Sequence, residues 1–160
     1  METKNPAFHL DRYHVTKLYV DWSFPPGEKQ ISVAGIQCAF DYDVKGHKGD
    51  NRRRMMRMSV DFQEIDANQQ KVAHHVVCEI VGAFLLTQDP STGKEEHFFR
   101  LNAVSVLYGA LRGIIATTTG LFPGGKFDIP IVMANEIVAD VERRRAEKAR
   151  QQELLTTTTN

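Results

Sequence analysis

The stretch Leu101–Met133, LNAVSVLYGALRGIIATTTGLFPGGKFDIPIVM, decides the fold. It opens with a helix-like run that is apolar or small on nearly every side, with Asn102 as the expected N-cap. Gly120 ends the run, and Phe122-Pro123-Gly124-Gly125 turns the chain. An extended apolar segment, Phe127 to Ile131, then leads into a second helix near Met133. A helix apolar around its whole circumference needs cover on more than one face. A sheet on one side and a second subunit on the other are the expected cover.

Upstream, the pattern changes to a period of two, the signature of strands with one buried face. Phe8 to Phe24 reads as a long strand in which Leu18, Val20, Trp22 and Phe24 alternate with Tyr19, Asp21 and Ser23. Gly35 breaks the phase before Ile36, Cys38, Phe40, Tyr42 and Val44 alternate with polar or small residues. A polar turn, Gly46 to Asn51, joins this to a strand carrying Met56, Met58, Val60 and Phe62 on one face. The fourth strand, Val72 to Leu86, is partly apolar on both faces, so both need cover. The last helix has an apolar stripe through Ile137, Val138 and Val141 and then becomes ERRRAEKARQQE, expected to project into solvent. Four antiparallel strands followed by two C-terminal helices make an α+β fold.

The 160 residues fit one domain, and a hydrophobic fraction of 42% with 25% charged residues is that of an ordinary globular protein. Twenty basic residues balance twenty acidic ones, leaving no overall field to draw the chain onto nucleic acid or an anionic membrane. Cys38 and Cys78 lie in apolar strand-like runs, and two buried thiols fit a reducing compartment better than a disulfide scaffold. The N-terminus lacks a signal-peptide core, and no window reads as the roughly 18 apolar residues of a membrane span. A cytoplasmic protein is expected.

No residue pattern assembles an active site. His74 and His75 are adjacent on a strand and point to opposite faces. His74 and Cys78 share a face but sit about 13 Å apart, too far to hold one zinc ion. Gly124-Gly125 precedes an extended segment, not a helix N-terminus, and so reads as a turn and not a phosphate cradle. Asp41, Asp43 and Asp61 fall on wet faces. No cofactor, metal or catalytic residue is expected. Arg52-Arg53-Arg54 and the basic C-terminal helix are the features that would contact phosphates; the plainer reading is a solvated turn that guards a sheet edge.

The opening stretch resembles the SecB family of export chaperones. Family members carry a segment close to N-A-P-A-I-L-F-P-Y-I-R, and Asn102 to Arg112 follows it with aliphatic, aromatic and Arg positions in register. Gly120-Leu121-Phe122-Pro123 and Ile129-Pro130-Ile131-Val132 are similar to the family's Gly-x-Phe-Pro turn and extended segment. Val77-Cys78-Glu79-Ile80 and Phe8-His9-Leu10-Asp11-Arg12 are similar to its fourth and first strands. The chain departs where Val104, Gly109 and Ala110 replace the two prolines and the Tyr of the segment. It is also neutral, where the export chaperones are acidic.

The resemblance implies a chaperone domain over residues 1–141, with a charged helical extension and frayed tail over 142–160. It implies an ATP-independent chaperone that binds unfolded polypeptide and catalyses nothing, working as a homotetramer built as a dimer of dimers. Leu107, Tyr108, Leu111, Arg112 and Ile115 would form the oligomer interface. Trp22, Phe24, Ile36, Phe40, Leu121, Phe122, Phe127 and Ile129 would line the client groove, although the same residues are also what a core would use. Asp21, Val77 and Glu79 match the positions through which the family meets the SecA motor, while Lys17 stands where a further acid belongs. Service to a toxin–antitoxin system is the alternative within this class. A hot-dog-like thioester enzyme and a basic-patch nucleic-acid binder are the alternatives outside it.

Overall fold

The computed structural model describes residues 8–22, 33–67, 72–88, 92–122, 127 and 129–158. Strands β1 (Phe8–Trp22), β2 (Val33–His47), β3 (Asp50–Asp66) and β4 (Val72–Leu86) precede helices α1 (Gly93–Thr119) and α2 (Ala134–Thr158). All pairings are antiparallel, and the sheet order is β1-β4-β3-β2. The expected α+β layout of a four-stranded antiparallel sheet followed by two helices is the one observed. β1 crosses to pair with β4, leaving β1 and β2 as the two edges.

Both helices lie on one face of the sheet. Met56, Met58, Val60 and Phe62 of β3, with Val76, Cys78, Ile80 and Phe84 of β4, point to that face and are buried. Phe99, Val104, Leu107, Leu111 and Ile115 of α1 close over them. Ile137, Val138 and Val141 of α2 complete the core. Gly82 on β4 makes the close approach of α1 possible, because a Cβ there would lie 2.7 Å from Leu107 Cδ2.

Several expectations need correction. The N-cap of α1 is Thr92, ten residues before Asn102: its side chain accepts from Glu95 N–H, and the Glu95 carboxylate accepts from Thr92 N–H in a capping box. Asn102 lies mid-helix and donates to Phe98 O. By length and composition α1 is apolar enough to cross a membrane, contrary to the sequence reading; here it packs along its own sheet. The alternation of β1 holds from Leu18 to Asp21 but is reset twice upstream, by register shifts at Leu10/Arg12 and Val15/Lys17.

The charged end of α2 is not all free in solvent. Glu142 receives Arg100 at 2.9 Å and the Tyr42 hydroxyl at 3.3 Å, tying α2 to α1 and β2. Arg144 donates to the Phe40 carbonyl, and Arg145 to the Tyr42 carbonyl. Arg145 also holds Asp41 at 3.0 Å and lies 5.1 Å over the Tyr42 ring. Beyond this anchor, from Ala146 to Leu155, every residue is exposed.

Candidate functional groove and interface surfaces

The helix-side half of β2 builds an apolar groove. Successive even residues, Ile36, Cys38, Phe40 and Tyr42, point to the same face by strand alternation. Tyr42 is buried and Phe40 half-buried under α2, whereas Ile36 (41%) and Cys38 remain exposed beyond it. Phe40 is held edge-on between Phe62 and Tyr108, at ring distances of 5.8 and 5.6 Å.

The extended segment after α1 packs its first residue against the sheet, Phe127 meeting Phe62, the β3 residue paired with Cys38, at 6.3 Å. The Tyr108 hydroxyl donates to Pro130 O at 2.6 Å, and burial pushes the phenol pKa up to about 12. Thr119, fully buried at the end of α1, donates to Ile115 O and accepts from Phe127 N–H, both at 2.8 Å. The Phe127–Thr119 and Tyr108–Pro130 bonds fix where the segment starts and where it passes α1. Thr119→Val keeps the shape and removes both bonds of the Thr119 hydroxyl. We expect a loss of about 1–3 kcal/mol in urea unfolding, with Cys38 alkylation accelerated as the segment loosens.

The expected groove residues separate into three groups. Ile36 and Leu121 (84%) are exposed, and Phe40 and Phe122 are partly buried. Phe127 and Ile129 are buried in the core, Phe127 against Phe62 at 6.3 Å, so they form the floor under the groove and offer no free surface. Trp22 ends β1, and Phe24 lies outside the described residues. Ile131 (79%) and Met133 (61%) are exposed on the extended segment and are not among the expected groove residues. Nor is Cys38, which the sequence places among buried thiols but the structure leaves exposed; its thiol is pushed up by partial burial, while Cys78, fully buried, rises to about 11.

Among the described residues no strand pairs with the outer edge of β2. Phe40 and Tyr42 carry the carbonyls that Arg144 and Arg145 take from outside the sheet. By the same alternation Ile36 and Cys38 turn their backbone groups outward, and no described residue pairs with them. The arginines thus clasp the middle of the β2 edge and leave its first part open.

A second apolar surface involves α1 and β1. Leu107, Tyr108, Leu111 and Ile115, the residues expected to meet a partner, are already buried by the chain's own sheet. The side of α1 that stays open carries Val106, Gly109, Gly113 and Thr117, and a Cβ at either glycine would meet nothing within 4 Å. Beyond α1, the helix-side face of β1 exposes Tyr13, Val15 and Leu18. Arg112 is half-buried, and its Nε has no hydrogen-bond partner among the described residues.

The outer face of the sheet carries the positions matched to the SecA contact. Asp21 pairs with His75, Tyr19 with Val77, and Lys17 with Glu79. Glu79 accepts from Thr16 Oγ1 at 2.5 Å and lies 3.7 Å from Arg57. His75 Nε2 meets Asp61 at 2.9 Å on this face, whereas His74 Nδ1 meets Glu64 at 2.6 Å on the helix side. Among the described residues no three His, Cys, Asp or Glu side chains gather as a metal site would require.

No protein-family model matches the chain, and no curated protein matches it in sequence. Its structure is similar to that of a SecB-like chaperone of Mycobacterium tuberculosis in complex with an antitoxin peptide. The TM-score is 0.56 at 11% identity, over 79% of this chain and 91% of that one. A protein of unknown function from Streptococcus agalactiae matches with a TM-score of 0.41 at 9% identity, over 78% of this chain and 97% of that one. At 11% identity the likeness to the SecB-like chaperone speaks for architecture alone. With four antiparallel strands followed by two C-terminal helices, the chain has a SecB-like fold.

Proposed function

We propose that the chain is a SecB-like, ATP-independent chaperone of the cytoplasm that binds non-native polypeptide and performs no catalysis. The observation that carries this reading is exposed apolar surface: Ile36 and Cys38 lie bare beside an open stretch of the β2 edge, and Ile131 and Met133 are bare on the segment that follows α1. An extended client would add backbone hydrogen bonds along that edge and seat side chains against the strip. Each large side chain so buried contributes about 1.5–3 kcal/mol. Several copies of the groove in one assembly would raise avidity without demanding a sequence.

The assembly is a homotetramer in this reading, with the open sides of α1 and β1 as its interfaces. A carbonyl or carboxylate from a second copy would supply the acceptor that Arg112 Nε lacks. Of the two duties open to such a chaperone, the outer face favours a dedicated client over hand-off to SecA. Glu79, one of the acids matched to the motor contact, is engaged by Thr16 and flanked by Lys17 and Arg57. The neighbour from M. tuberculosis is itself bound to an antitoxin peptide, and an antitoxin is the kind of client proposed.

The test is suppression of aggregation of a reduced, unfolded client, with assembly size read by light scattering. Suppression near one tetramer per client is expected, with Cys38 protected from alkylation once client is bound. A monomer that leaves aggregation unchanged would end the proposal. Tight, client-stimulated binding of SecA would reverse the choice between the two duties.

A further inference from the structure

The outer face of the sheet is electrically divided along its strands. Toward one end it carries Asp21, Asp41, Asp61 and Glu79. Toward the β2–β3 hairpin it carries cations instead. The register explains how. Lys45 pairs with Met55, Met55 with Ala83, and Ala83 with Arg12, one row crossing all four strands. Paired residues share a face, so the row reads cation, apolar, small, cation from one edge to the other.

Ala83 is the short member of that row. Its small side chain leaves a depression floored by Met55, Ala83 and Leu85, and the structure has a cleft of about 420 Å³ there. Arg12, Lys45, His47 and Arg53 stand around it, with Asp11 as the acid at the rim. A smaller hollow, lined by Arg12, His14, Met55, Val81 and Ala83, adjoins it. The three successive arginines of β3 are not equivalent. Arg54 turns to the helix side and pairs with Glu96 at 2.9 Å, while Arg52 and Arg53 share Asp50. Arg12 and Lys45 have no ion-pair partner among the described residues, and Met55 is half exposed between them.

We propose that this cleft is a second binding site, distinct from the client groove, for an acidic peptide segment of a partner protein. Three strand spacings separate Arg12 from Lys45, about 14 Å. An extended peptide crossing the strands covers that distance in about four residues. Its recognisable pattern is therefore two carboxylates four residues apart with an aliphatic side chain between them. The aliphatic side chain drops over Ala83 against Met55 and Leu85, and the carboxylates reach the two cations. Nucleic acid fits less well: the phenyl ring among the lining residues, Phe84, is buried in the core and offers no free face on which a base could stack, and Asp11 and Asp50 oppose a phosphate backbone.

Fluorescence anisotropy with a labelled peptide of sequence Gly-Glu-Ala-Leu-Ala-Glu-Gly tests this directly. The full chain should bind it saturably, more weakly as salt is raised. The paired reversal Arg12→Glu and Lys45→Glu should lower affinity at least tenfold, and so should Ala83→Leu, which fills the depression without changing charge. Both variants should still suppress client aggregation, which separates this site from the groove and reports that they fold. A control peptide with lysines for the glutamates should not bind. Three results would each overturn the proposal: no saturable binding, equal binding of the lysine peptide, or affinity unchanged in both variants. Tighter binding of a single-stranded oligonucleotide through Arg12 and Lys45 would assign the cleft to nucleic acid instead.

Discussion

Phe62→Ala is expected to cost the fold about 3–5 kcal/mol, the range for truncating a fully buried aromatic side chain. Phe62 is 0% exposed and touches both halves of the groove floor: Phe40 at 5.8 Å across β2, and Phe127 at 6.3 Å from the extended segment. Removing the ring leaves those two rings facing a cavity. In a chain of this size the melting temperature should fall by on the order of 10 °C. Aggregation suppression should decline well below that melting point, because the strip Ile36–Phe40 loses its support before the sheet comes apart. Urea titration with the suppression assay beside it checks both parts. A loss under about 1 kcal/mol would mean that the neighbouring side chains close the gap, and that Phe62 does not organise the groove.

Gly82→Val should come next in size. A Cβ at Gly82 would lie 2.7 Å from Leu107 Cδ2, 3.0 Å from Phe84 Cε2 and 3.2 Å from Leu10 Cδ1. Leu107 is 0% exposed and Phe84 2%, so neither has open space to move into. Forcing extra carbon into such a site costs typically 1–3 kcal/mol. Valine, with two further methyls, belongs at the top of that range, and Gly82→Ala nearer the bottom. Because α1 must lift away from β4, exposure of Cys78 to alkylating reagents should increase. The second change Leu107→Ala should recover part of the loss in a double-mutant cycle. Two independent, additive penalties would contradict this packing.

Much of the sheet was legible in the sequence because its physics is local. The apolar pattern of β4 spans the bounds the strand has, Val72–Leu86, and the buried rows of β3 and β4 follow from a strict period of two. Gly35 marks a real register shift. The two shifts in β1 were not legible, since the inserted residues, Asp11 and Thr16, are ordinary polar strand residues. The pairing of β1 with β4 is also invisible locally, because nothing in either strand encodes which distant edge it meets. The start of α1 could have been found. Thr92-Gly93-Lys94-Glu95 is a capping-box sequence, obscured by the polar run around it.

The groove was harder to read, for a general reason. Phe127 and Ile129 have the same chemistry as Ile131 and Met133, and only the tertiary path of the segment puts the first pair inside and the second outside. The clasp was invisible for the opposite reason. Arg144 and Arg145 look like solvated helix residues until α2 is laid along β2. The row Lys45–Met55–Ala83–Arg12 joins four strands and has no counterpart in any one of them.

The clasp on β2 bears on how such a chain avoids self-assembly. A protein proposed to hold sticky segments must keep an apolar strip and an unpaired strand on its surface. Those are the features through which sheets stack edge to edge into polymers. Sheathing Phe40 and Tyr42 with guanidinium groups shortens the bare length to a few residues at the Ile36 end. That length can grip a passing strand, yet it offers too little continuous edge for a second copy to extend the sheet. The same helix that braces the fold would then keep the chaperone from becoming its own client.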